Sequence, residues 1–83
     1  KSVLRDWNGQ PKVVGVKQSR RAIREGRAAQ VFLAVNADPA LTAPLADLCK
    51  EEGIPVEQRF TMEELGKAAG IQVGAAVVAV LRA

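Results

Sequence analysis

Residues 30–35 read Gln-Val-Phe-Leu-Ala-Val, with no alternation that would divide the run into a core side and a solvent side. Successive side chains of a strand point to opposite faces, so this run is apolar on both. Such a strand belongs inside a sheet that is covered on both sides. The segments around it read as its covers and its neighbours. Residues 12–15 form a short β-branched strand that ends on Gly15, and residues 16–25 have helical spacing, with Gly26 placed as a left-handed cap. After 30–35 comes a turn, Asn36-Ala37-Asp38-Pro39, then a helix through Leu45, Leu48 and Cys49 to Gly53. Pro44 is tolerable only in a first turn, which starts that helix near Thr42. Residues 55–60 read as a strand. Thr61 and Glu64 form a capping box that opens a helix ending at Gly70. A glycine-bracketed loop, 70–74, leads to a last strand at 75–81. Ahead of all these, Val3, Leu4 and Trp7 have the spacing of a short N-terminal helix, closed by Asn8-Gly9 and Pro11. The predicted architecture is α/β: a three-layer α/β/α sandwich with a four-stranded mixed sheet, in a single domain over 1–83.

Composition removes most chemistry. A chain of 83 residues, 48% apolar, can bury one core without disulfides or metal. It has no histidine and one cysteine, Cys49, which excludes zinc sites and histidine-based acid–base or triad catalysis. A lone cysteine forms no intramolecular disulfide, which fits a reducing compartment, and with no signal-peptide pattern visible the cytoplasm is expected. No apolar run is long enough for a bilayer; the longest, 73–81, is interrupted by Gly74 and reads as a buried strand. Neither a Walker loop nor a dinucleotide fingerprint is present. Glu63 and Glu64 serve the helix cap, Asp38 and Glu57 have no plausible partner, and Cys49 sits among leucines as an inert core residue. The expectation is a monomeric protein that is not an enzyme and uses no cofactor or metal.

Charge is what remains. The net charge of +3 is modest, but residues 12–27 hold six of the twelve basic residues and one of the nine acids. At 100° per residue, Lys17, Arg20, Arg21 and Arg24 share one arc, and Val16, Ser19, Ala22 and Ile23 fall on the other side. A charged helix face is ordinarily solvated surface. An inert face, however, mixes signs to limit repulsion, and here only Glu25 accompanies four cations. The stripe also begins at a strand–glycine–helix junction, where free backbone N–H groups and the helix dipole favour anions. Together these point to a polyanion, nucleic acid first. Gly15 has two readings, a tight-turn residue or a position where a side chain would block a ligand. Lys17 can donate to guanine O6 and N7, and the Gln18 amide can donate and accept at once. Ile71 and Val73 either tuck into the core or form an apolar lip over an unstacked base; periodicity leaves both open.

Three segments taken together resemble a known family. They are Gly15-Val16-Lys17-Gln18-Ser19-Arg20-Arg21-Ala22, then Asn36-Ala37-Asp38-Pro39, then residues 65–76, Leu-Gly-Lys-Ala-Ala-Gly-Ile-Gln-Val-Gly-Ala-Ala. In this order and separation they resemble the kink-turn-binding ribosomal proteins of the L-seven-Ae and L-thirty-e type, short bacterial members included, over residues 12–81. The segment before Lys12 shows no clear match. The resemblance implies an α/β/α domain that binds a sharply bent RNA with a short bulge and tandem sheared G·A pairs. It places Gly15, Lys17, Gln18 and Arg21 at the G·A pairs, Gly70, Ile71, Gln72 and Val73 at the bulge, and Asn36 as a third contact. Arg20 and Arg24 extend the same basic face. Many members have Asn-Glu where this chain has Lys17-Gln18, the variant of the L-thirty-e and bacterial branches. The neutral Gln18 bonds a guanine edge without a charged acceptor's stronger hydrogen bonds. The implied partner is a structured RNA, ribosomal or a messenger leader, with association to the ribosome. The alternative is a protein-interaction adaptor on the same fold, its basic face meeting an acidic partner.

Overall fold

The computed structural model describes residues 10–82. The N-terminal helix expected around Val3, Leu4 and Trp7, with its Asn8-Gly9 turn, lies outside them. In chain order the elements are β1 (Lys12–Val14), α1 (Val16–Arg24), β2 (Ala28–Leu33), α2 (Pro39–Glu52), β3 (Val56–Glu57), α3 (Met62–Ala68) and β4 (Val77–Leu81). The strands form one mixed sheet in the order β1-β4-β2-β3. β4 runs antiparallel to both β1 and β2, and β3 is parallel to β2.

Side-chain alternation sorts this sheet into two cores. Val77 and Ala79 of β4, with Val31 and Leu33 of β2, pack under α1 and α2 through Ala22, Ile23, Leu45 and Cys49. Val78 and Val80, with Phe32 of β2, face the other way, towards Leu65 of α3. β2 and β4 are the interior strands, buried on both faces, and the result is the expected three-layer sandwich. Cys49 is fully buried, and burial pushes its thiol pKa up, as an inert core residue requires.

The element boundaries differ from expectation at β2, β3 and α2, each for a local reason, and β4 starts at Val77 rather than Ala75. β2 covers Ala28–Leu33 rather than 30–35, because its partner β4 begins at Val77, opposite Leu33. Beyond that pair the chain peels away: Ala34 N–H still donates to the Ala76 carbonyl, but Val35 N–H turns to Phe60, and Val35 is 54% exposed. β3 shrinks to Val56–Glu57, since only Val31 and Phe32 face it on the sheet edge. α2 starts at Pro39, not near Thr42, so Pro44 lies inside the helix. Pro44 and Ala40, whose carbonyl it leaves without a helical donor, are both exposed, on the side of the helix where solvent can take the place of that donor. Asp38 caps α2 by accepting from Ala40 N–H, and Glu57 pairs with Arg59, so both acids have partners after all.

The sheet has two unlike poles. At one, Leu81 N–H donates to Pro11 and Arg82 N–H to Arg27, which gathers the flanks of β1, β2 and β4. At the other lie the C-terminal ends of β1, β2 and β3 and the start of β4.

Candidate nucleic-acid interface

Gly15, Lys17, Gln18, Asn36 and the loop 70–74 reach that second pole, whereas Arg20, Arg21 and Arg24 follow α1 away from it. Gly15 N–H donates to the Val77 carbonyl at 3.0 Å, which fixes the β1–α1 junction against the start of β4. Ala34 N–H donates to Ala76 at 2.9 Å, which sets the Asn36 turn beside the loop leading into β4. Residues distant in the chain (Gly15, Asn36 and 70–74) are thus brought to one edge by the strand order.

The three helices also start at this pole, and their N-termini differ. α2 is capped by Asp38 with Pro39 in its first turn. α3 has the full capping box: Thr61 Oγ1 accepts from Glu64 N–H, and Glu64 accepts from Thr61 N–H. α1 has no side-chain cap among the described residues. Its first intrahelical bond runs from Ser19 N–H to the Gly15 carbonyl, so the N–H groups of Val16, Lys17 and Gln18 precede the ladder. Gly15 takes φ 106° and ψ 157°, a region in which essentially only glycine is found. The space a β-carbon would occupy is empty, so backbone conformation is what demands glycine here.

On α1, Ser19, Ala22 and Ile23 are buried, and Lys17, Gln18, Arg20, Arg21 and Arg24 are exposed along the opposite side. With Glu25 they line one shallow hollow. Glu25 accepts from Arg21 Nε at 3.1 Å and from Arg27 Nε at 2.8 Å, and these hydrogen bonds hold its carboxyl below the usual carboxylate range. Lys17, Arg20 and Arg24 have no ion pair among the described residues. The Ser19 hydroxyl is buried and has no hydrogen-bond partner among the described residues.

The loop 70–74 is held from below. Gly70 adopts φ 79°, Ile71 N–H donates to the Gly66 carbonyl, and Ala75 N–H donates to Met62. Gly66 is there for contact: a β-carbon would collide with the Val73 carbonyl oxygen. The two open residues now separate. Ile71 is half-buried against the α3-side core, whereas Val73 is 72% exposed beside exposed Gln72. Asn36 is structural at its oxygen, since Oδ1 accepts from Met62 N–H at 2.8 Å. That bond fixes the amide orientation, and Nδ2 has no partner among the described residues.

The sequence profile of the family described as ribosomal protein L7Ae/L30e/S12e/Gadd45 matches residues 2–83. The chain belongs to this family. The match takes in the segment before Lys12, which the resemblance of short motifs had left out. An RNA-binding protein of Geobacillus sp. is 47% identical over 70 residues, covering 84% of this chain and 85% of that protein. The RNA-binding protein YbxF of Geobacillus stearothermophilus is 44% identical over the same length and shares. Among solved structures, a protein of unknown function from Bacillus halodurans superposes with a TM-score of 0.79 at 28% identity, covering 87% of this chain and 72% of its own. The Giardia lamblia 15.5kD RNA binding protein shares the fold, with a TM-score of 0.86 at 23% identity over 98% of this chain and 68% of that one.

In this L7Ae-family chain the site pole also carries residues that the sequence motifs passed over. Val35 is exposed there because β2 ends early, and Arg59 stands on the connection from β3 to α3. The signal for Val35 was hidden inside an unbroken apolar run. For Arg59 there was none, because its place depends on β3 lying parallel to β2.

Proposed function

We propose that this protein is a non-enzymatic RNA-binding protein that recognises kink-turns. The observation that carries this reading is the convergence, at one pole, of an uncapped helix N-terminus bearing Lys17 and Gln18 with the exposed loop residues Gln72 and Val73. Family membership and the names of its relatives, RNA-binding proteins, support it. An A-form major groove is normally too narrow for side chains, and a kink with a bulge opens it. The α1 N-terminus enters there. Lys17 donates to a guanine edge and Gln18 donates and accepts beside it, while the free N–H groups of the first turn and Arg20, Arg21 and Arg24 take phosphates. Val73 covers an unstacked base, Gly70 lets the chain turn under it, and Ile71 anchors the loop. Asn36 Nδ2 and Gln72 supply further donors. Bound protein favours the bent RNA by its differential affinity for it. The RNA is a ribosomal or messenger-leader element, met in the cytoplasm by a monomer.

A gel-shift comparison of a kink-turn duplex with a straight duplex of matched length tests the reading. The wild-type protein is expected to prefer the kinked RNA. Lys17→Ala and Gln18→Ala should each cost about 1–3 kcal/mol on the kinked RNA and little on the straight one. Equal affinity for both RNAs would sink the proposal and put an adaptor role for the basic face ahead.

A further inference from the structure

One segment at the site pole takes no part in the contacts proposed above: residues 58–61, between β3 and α3. It is firmly placed. Val35 N–H donates to the Phe60 carbonyl at 2.8 Å, and the Phe60 ring packs against Phe32 with centroids 6.2 Å apart. Arg59 is built onto this anchor. Its guanidinium carbon lies 5.6 Å from the Phe60 ring centroid, and its Nε donates to the Glu57 carboxylate. The side chain is nevertheless 65% exposed, and its two terminal nitrogens have no partner among the described residues. A guanidinium held at Nε and rested on a ring presents its outer fork at little further entropic cost, the geometry that grips a phosphate through two donors.

Its position relative to the other cations matters more. Outside α1, Lys12, Arg27 and Arg82 lie towards the opposite pole, and Lys50 and Lys67 occupy the last turns of α2 and α3. Arg59 is the only cation in the described loops of the site pole. It stands on the β3 flank, while the α1 stripe leaves from β1. With β4 and β2 between them, three strand spacings of about 4.8 Å separate β1 from β3, about 14 Å. A protein that grips one arm of an RNA holds bent and straight forms alike. It selects the bend through features that only the bent form offers, the opened groove at the kink and contacts that both arms make at once. We propose that Arg59 is a second phosphate-binding point, engaging the RNA arm that the α1 stripe does not touch. The proposal rests on the kink-turn reading.

The test titrates the wild-type protein, Arg59→Ala, Arg59→Lys and Arg24→Ala against four RNAs: the kink-turn duplex, two versions each lacking most of one arm, and a straight duplex. Arg59→Ala should weaken the complete kink-turn about fivefold and flatten the log K against log salt slope by about 0.7–0.9. That loss should vanish on one of the two shortened RNAs, on which Arg24→Ala still loses affinity. Arg59→Lys, which keeps the charge without the fork, should restore the slope. Wild-type affinity of Arg59→Ala for the full RNA would overturn the role of Arg59, as would equal losses on both shortened RNAs or a slope that Arg59→Lys leaves flat. If the kinked-over-straight preference of the wild-type protein holds in that case, only the role of Arg59 falls. If the wild-type protein shows no such preference, the kink-turn reading falls and takes this proposal with it.

Discussion

Ile71 and Val73 are two positions apart and meet opposite environments. Ile71 is half-buried against the core under α3, and Val73 is 72% exposed at the loop tip. No pattern in Gly-Ile-Gln-Val-Gly distinguishes them, because the difference comes from the Ile71 N–H bond to Gly66 and from the contact of Gly66 with the Val73 backbone. The consequence for mutation is direct. Ile71→Asp puts an unpaired charge partly into the core and should lower the melting temperature, whereas Val73→Asp should leave folding stability within about 0.5 kcal/mol of wild type. Val73→Asp should still weaken the kinked RNA, so it is the cleaner probe of the loop; an unchanged affinity would remove Val73 from the interface. Gly15 was legible as a glycine that matters. That its backbone conformation requires glycine was not, since φ 106° appears only once β1, α1 and β4 are in place, and the empty space in front leaves room for a ligand as well.

At the scale of elements, capping chemistry was the most legible feature. Thr61 and Glu64 form both bonds of the capping box, and Gly53 ends α2 in the left-handed conformation. These signals are local, so a sequence carries them whole. Strand ends were less legible, because a strand stops where its partner stops: the apolar run through Ala34 and Val35 continues, but β4 has no residue to pair with it. Pro44 misled for a related reason, since its tolerance depends on which side of α2 faces water. The packing of α3 against the loop 70–74 gives a prediction of its own. Gly66→Ala would drive a methyl group into the Val73 carbonyl, and the loop must move to admit it. We expect a loss of about 1–3 kcal/mol in urea unfolding. A weakened preference for kinked RNA should accompany it. Unchanged stability would mean that the interlock between helix and loop is loose.

For the molecule as a whole, the basic stripe was fully legible from helical spacing, and the site pole was not. Nothing in the residues of 15, 36 and 70–74 says that β4 runs between β1 and β2, yet that order alone makes them neighbours. Only the resemblance to a family supplied the grouping. If the stripe neutralises roughly four phosphates, the slope of log K against log salt should be about −3 to −4. Arg24→Ala should lower it by about one unit while weakening kinked and straight RNAs alike. A salt-independent affinity would mean that phosphates are not what holds the complex. The other pole has a practical bearing. Pro11 and Arg82 leave the sheet there, tied to it by the bonds from Leu81 and to Arg27, at the far end from Gly15 and the loop 70–74. A tether or dye attached past Arg82 therefore sits at the pole opposite the α1 N-terminus and the loop 70–74, and immobilisation through that end would leave the proposed base-reading contacts open to solution.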